Sequence, residues 1–382
     1  METENTYKNE IASFLGCDSN QLFLFWKGRV GLYTALKACG VRKGDEVIVQ
    51  AFTCVVVPNS IIYTGAAPIY VDIERHSFNA SFEDIEEKVT DKTKVIITQN
   101  TYGLSSSVKR ISEYCAENGI ICIEDCTHGF GGMHDGKSNG SYADFAFYST
   151  QWNKPFSTGI GGILRVNNLK YLPEIQELER SAITPTTREK HMLNALIKAR
   201  RYFLNDISYW LLLKLYRQLT AWKIVVGSSS PEEIEAPEIP EAFLKKGCNT
   251  QHREGIRSLK RLAVVLKRRK ANALAISAFL KSHGKTYVSS DLQANHSFLI
   301  YPILVTNRAE FMNLAENAGL PMGDWFVSPL HPVTANFNLW GLNCEDFPVA
   351  TKISSQIINI PLDRKSLKKY FGFLDANQHF IL

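Results

Sequence analysis

The chain has 382 residues, 45% of them hydrophobic and 21% charged, which is globular composition with length for one large domain and a smaller one attached. A formal net charge of +5 excludes a strongly basic nucleic-acid module. Eight cysteines (Cys17, Cys39, Cys54, Cys115, Cys122, Cys126, Cys248, Cys344) without a CxxC pair argue against a zinc centre and for buried free thiols.

In chain order, residues 6–15 predict a short amphipathic helix and 21–26 a short apolar strand. KGRVGLYTALKACG then predicts a loop entering a helix that stops near Gly40. Gly28 stands at that helix start, where free N–H groups and the helix dipole favour an anion, unless the junction is a plain strand–helix turn. From Gly44 strands and helices alternate. Strands are predicted over 46–52, 68–73, 94–99 and 119–124. Helices are predicted over 58–63, with Pro58 in the first turn, over 82–89, capped by Asn79 or Ser81, and over 105–118. Short runs rich in Val and Ile, separated by helical periods, are the pattern of βαβ units and a covered parallel sheet. Ligands bind such sheets outside the carboxyl ends of the strands. Phe52-Thr53-Cys54, Asp125 to His128, and Ser149 with Lys154 all fall there.

The stretch FAFYSTQWNKPFSTGIGG, residues 145–162, reads as a buried strand, a polar turn carrying Lys154, and a glycine-rich return. Lys154 is either an exposed turn lysine or a desolvated nucleophile toward a carbonyl. Asp125, ending the apolar run ICIE, is either a helix cap or a carboxylate paired with a cationic ring nitrogen. His128 would lie beside the same ligand.

After Asn168 the alternation stops. Residues 169–188 are polar and mixed, and 189–226 predict two amphipathic helices. Residues 228–240 predict an acidic, proline-bearing loop. A long basic helix over 250–282, ending near Gly284, leads to a smaller region. There 297–305 reads as a strand, and 308–318, 349–357 and 366–370 as helical. Asp206, Lys214, Arg217 and Lys223 interrupt the most apolar stretch, so no spanning helix is expected. With a polar N-terminus, the expected location is the cytoplasm.

The ordered set KGRVGL, GDEVIVQAFT, GAAPIYVDIE, NTYGL, IEDCTH, and YSTQWNK followed by STGIGG resembles the DegT/DnrJ/EryC1/StrS family of sugar aminotransferases. Each motif is weak alone; their order and spacing carry the likeness. The resemblance implies a pyridoxal-phosphate enzyme of fold type I. Its large α/β domain, here 10–240, would hold a mainly parallel seven-stranded sheet, with a helical insertion over 189–226. A linking helix and a smaller α/β domain would follow over 241–382.

By the same resemblance, Lys154 is the lysine that binds the cofactor and moves protons. Asp125 holds the pyridine nitrogen, His128 lies near the ring oxygen, and Thr127 packs on a ring face. Ser149 and the backbone of Gly28 and Arg29 cradle the phosphate. Asn249, in GCNTQHR, reaches the phosphate of a neighbouring subunit, which implies a homodimer. Trp325 and His331, around SPLHP, are substrate-side candidates, although His331 reads equally as a surface histidine. The family's substrates would be a nucleotide-linked keto sugar and an amino donor, L-glutamate.

Four departures are visible. Cys54 stands where many relatives place a ring-stacking aromatic. Ile160 replaces the Glu of GEGG. Lys27 and Arg29 replace the small Ser and Thr of SGT. Cys54, Ile160 and the region around Asn249, which lacks the family's following pattern, keep a second reading open, a homologue that binds cofactor or sugar without turnover in a scaffolding or regulatory role. A membrane-docking role for 189–226 is weighed against an extra interface layer or a cover for the site.

Overall fold

The computed structural model describes residues 2–203, 231–288 and 296–382. Most of the predicted second helix within 189–226 therefore lies outside the described residues. The central sheet has seven strands: β1 (Leu22–Phe25), β2 (Glu46–Gln50), β4 (Ala67–Val71), β5 (Thr93–Gln99), β6 (Ile121–Asp125), β9 (Phe145–Ser149) and β10 (Gly162–Val166). Their order is β1-β10-β9-β6-β5-β2-β4. The intervening short strands are β3 (Thr53–Cys54) and the hairpin of β7 (Met133–His134) with β8 (Lys137–Ser138). β2, β4, β5, β6 and β9 pair in parallel, and β10 runs against both β9 and β1. This is the mainly parallel α/β sheet that the alternation implied.

Helices pack on the sheet because its strands are apolar on both faces; every residue of β1, β6 and β10 is buried. Ser81 caps helix Phe82–Lys88 by accepting from the Asp84 N–H, as one of the two predicted caps. Gly40 adopts φ +71° just beyond helix Gly28–Ala38 and allows the chain to turn back.

Four segments differ from the sequence reading. The glycine-rich return becomes β10, with Gly162 opposite Ser149. Helix Leu172–Ser181 lies in the stretch read as polar and mixed. The acidic loop contains the short helix Pro231–Glu235. Helix Pro348–Gln356 gives way at Ile357 to β13 (Ile357–Pro361), which pairs antiparallel with β11 (Ile300–Leu304).

The C-terminal elements are bound to the sheet through buried polar contacts. Asp72 accepts from the Val349 and Ala350 N–H groups at 2.9 and 2.8 Å, capping helix Pro348–Gln356 from across the sheet. Trp340 Nε1 donates to Asn59 Oδ1 at 2.6 Å. The remaining short strand, β12 (Leu330–His331), pairs in parallel with β3, setting His331 opposite Cys54. This pairing draws the chain from Trp325 to His331 over the carboxyl edge of the sheet. Among the described residues, no helix is long and apolar enough to cross a membrane.

Candidate active site

The loop after β9 is pinned at its base. The Thr150 and Thr158 hydroxyls share a hydrogen bond of 2.6 Å. The Thr150 N–H donates to the Gly161 carbonyl, and the Thr158 N–H to the Thr150 carbonyl. A tight turn within it, from the Lys154 N–H to the Gln151 carbonyl, presents Lys154. On the outer side, Ser258 Oγ of helix Asn249–Ser282 donates to the Ser157 carbonyl at 2.9 Å. Lys154 is therefore held on a fixed support, half-buried, rather than on an exposed turn.

Its ammonium lies 4.7 Å from the Trp325 ring centroid. Burial pushes the Lys154 pKa down to about 8; Cys54 and Asp125 oppose that shift, and Arg29 adds to it. A cation held against an indole face keeps part of its charge stabilisation without water. Trp325 stacks in turn on His128, with centroids 5.2 Å apart and planes 6° apart. Tyr102 fastens that pair: its N–H donates to His128 Nδ1 at 3.2 Å, and its hydroxyl donates to the Trp325 carbonyl. Gly103, at φ +87°, lets residues 297–299 pack against the turn; a Cβ there would sit 2.6 Å from Ser297 Oγ. Ser297 Oγ donates to the His128 carbonyl at 3.1 Å.

Asp125 ends β6 and is 3% exposed. The Thr127 N–H donates to its Oδ1 at 2.9 Å, orienting the carboxylate. Burial raises its pKa; the Thr127 hydrogen bonds and Lys154 oppose the rise. His128 is driven well below the ordinary histidine range, chiefly by burial and then by Lys154 and His331, so it is neutral at pH 7. With Nδ1 accepting from Tyr102, the proton sits on Nε2, which becomes a donor. His331 is also neutral, lowered to about 4 by burial, with its Nδ1 accepting from the Val327 N–H.

At the other end, β1 runs into the start of helix Gly28–Ala38. A Cβ on Gly28 would sit 3.1 Å from Ser149 Cβ, so glycine lets the helix start come close to the end of β9. The first N–H groups of a helix have no partners within it. Asn249 is exposed at the start of the long helix. Among the described residues no hydrogen bond joins its side chain to the Lys154 cluster. Gln251 anchors that helix start instead, donating to the Trp26 and Ile160 carbonyls at 3.1 and 2.7 Å. Ile160 is buried with Trp26, Leu193 and Ile197, a packing position.

The structure thus brings together Lys154, Asp125, Thr127, His128, Cys54, Trp325 and His331, with Gly28, Arg29 and Ser149 along the same edge. Sequence reasoning missed Tyr102 and Glu233. Tyr102 lies inside the NTYGL motif, a usable signal. Glu233 lay in a stretch read as loop; the signal was the pair Lys27 and Arg29, which need an anion when buried.

The DegT/DnrJ/EryC1/StrS aminotransferase family matches residues 2–215 and 249–369. The chain belongs to this family. It is 40% identical over 141 residues to GDP-perosamine synthase of Escherichia coli O157:H7, covering 37% of this chain and 39% of that protein. It is 33% identical over 168 residues to GDP-perosamine synthase of Vibrio cholerae, covering 44% and 46%. The chain spans less than half the length of these curated relatives. Its fold overlays the X-ray structure of the aminotransferase from Psychrobacter cryohalolentis with a TM-score of 0.76. That match covers 99% of this chain and 91% of the other, at 19% identity, and shows the fold. DegT-family aminotransferases depend on pyridoxal phosphate. The residues fit that group: a lysine of lowered pKa, a buried carboxylate beside it, and a glycine at a helix start.

Proposed function

We propose that this protein is a pyridoxal-phosphate-dependent aminotransferase acting on a nucleotide-linked keto sugar, with L-glutamate as amino donor. The observation that carries the reading is the meeting of Lys154, Asp125 and His128 at one end of a sheet edge whose other end holds Gly28 and Ser149. The printed names of the relatives, GDP-perosamine synthase, support the sugar-nucleotide class. When bound, the cofactor supplies an electron sink that acidifies the substrate carbon.

Each residue then has work that its surroundings allow. Asp125, destabilised as an anion by burial, would gain from a protonated ring nitrogen beside it and would keep that nitrogen charged. His128 would donate from Nε2 toward the ring oxygen. Lys154 would hold the cofactor at its aldehyde group. Its amine would also hold or move a proton at the substrate carbon, work suited to a group with a pKa near 8. Thr127 would pack on one ring face. Cys54 is too small to stack on the other, and Trp325 would supply a flat surface. Trp325 and His331 border the substrate side. The Gly28 and Arg29 N–H groups and the Ser149 hydroxyl would hold the phosphate. Asn249, facing outward, serves the phosphate of a second copy, so the working unit is a homodimer. Sugars aminated this way would enter surface polysaccharide or glycoconjugate synthesis from the cytoplasm.

The test is a two-stage assay. Cofactor-loaded protein given glutamate alone should release 2-oxoglutarate in proportion to loaded sites. Adding nucleotide-linked keto sugars should turn that release into turnover. No release of 2-oxoglutarate on adding glutamate, or a loaded protein that no keto sugar turns over, would count against the donor and the acceptor respectively.

A further inference from the structure

Two departures from the family pattern meet at one point of the structure. Lys27 and Arg29 flank Gly28 at the start of helix Gly28–Ala38. Two cations beside the positive end of a helix, with little water, require an anion among them. The chain supplies one. Glu233 is ion-paired with Arg29 through Oε1 and Nη1, and its Oε2 lies 3.9 Å from Lys27 Nζ. Glu233 is 2% exposed and Arg29 8%. The backbone of Glu233 is held as well: Asn59 Nδ2 donates to its carbonyl at 2.8 Å, while Asn59 is itself fixed by Trp340.

Glu233 lies between the two blocks of the family match, which leave out residues 216–248. Its two partners replace the small residues of the family's SGT motif. Carboxylate and phosphate make the same demand on a guanidinium, paired oxygens in the plane of its N–H fork. An anion of the protein itself therefore sits on the side chains that border the phosphate cradle.

We propose that Glu233 is a built-in competitor for the cofactor's phosphate. It holds Lys27 and Arg29 while the cradle is empty and yields them when a phosphate enters. Cofactor loading then requires an exchange of anions, and helix Pro231–Glu235 moves with it. The inference rests on the cofactor reading above. The opposite arrangement, in which Glu233 merely aims Arg29 at the phosphate, predicts the opposite sign.

The experiment titrates cofactor-free protein with pyridoxal phosphate and, separately, with pyridoxal, which lacks the phosphate. Binding is read from the visible absorbance of the lysine adduct. In Glu233→Gln the dissociation constant for pyridoxal phosphate should fall about tenfold, the worth of one charge-assisted hydrogen bond no longer contested. The constant for pyridoxal should not change. Unchanged or weaker binding of pyridoxal phosphate overturns the proposal, as does an equal shift for both aldehydes. Wild-type protein that takes up neither aldehyde overturns the cofactor reading and this proposal with it. Hydrogen exchange on the wild-type protein needs no variant to fold. Amides of residues 232–235 should exchange faster with saturating pyridoxal phosphate than with pyridoxal, and equal exchange overturns the proposal.

Discussion

Lys27 and Lys154 are both pushed down to about 8, and in both the first cause is burial. Their company differs. Lys27 sits with Arg29, which adds to the depression, and Glu233, which opposes it, in a closed ionic cluster at the start of a helix. Lys154 sits on an indole face, with Asp125 and Cys54 opposing the depression and stacked rings beyond. A lowered lysine pKa therefore does not identify a nucleophile by itself. One lysine is occupied by a carboxylate within the fold. The other lies against the Trp325 ring face, with Asp125 and Cys54 near it and no carboxylate ion-paired to it among the described residues.

Exchanging or removing these partners should separate the two lysines. The largest effect is expected from Lys154→Arg, which should abolish the visible absorbance formed with pyridoxal phosphate; arginine carries charge but no nucleophilic amine at neutral pH. Asp125→Asn should leave that absorbance but slow the glutamate half-reaction roughly a hundredfold, the worth of one hydrogen bond to a charged group of about 1.5–3 kcal/mol.

The pH dependence follows from the direction of the shift. The neutral amine of Lys154 accumulates above about 8, so the rate of cofactor uptake should rise through that pH and not through the ordinary lysine range. For stability the sign is the same. Both lysines shed their protons at lower pH folded than unfolded, so folding stability rises with pH from about 8 to the ordinary lysine range. Trp325→Ala uncovers Lys154 to water and should move the uptake inflection upward, because burial is the largest cause of the shift; Trp325→Phe should leave it near 8. The smallest effect is expected from Lys27→Met. The absorbance should persist, with affinity for pyridoxal phosphate weakened only a few-fold, as for a loose ion pair of about 0–1 kcal/mol.

The same contrast marks what the sequence could reveal. Asp125, His128, Ser149 and Lys154 were legible because each closes or follows an apolar strand run, and strand ends in a parallel sheet share one edge. The parallel strands themselves were legible from Val and Ile runs such as Val95-Ile96-Ile97. β10 was hidden because it starts in the glycine cluster that signals a turn. β13 was hidden because its IINIP run continues the apolar pattern of the preceding helix. The pairing of Leu330 and His331 with Thr53 and Cys54 spans two residues per strand across more than half the chain, and so short a pairing leaves no periodic signal. Glu233 belongs to this second group. PEEIE reads as a solvated acidic turn until the two cations that bury it are seen in place.

Reduction with borohydride after adding pyridoxal phosphate, followed by peptide mapping, addresses the difference between the two lysines most directly. The adduct is expected on Lys154 alone, in the peptide that follows Tyr148, with Lys27 unmodified. An adduct on Lys27, or on neither lysine, would contradict the assignment of Lys154 as the residue that binds the cofactor.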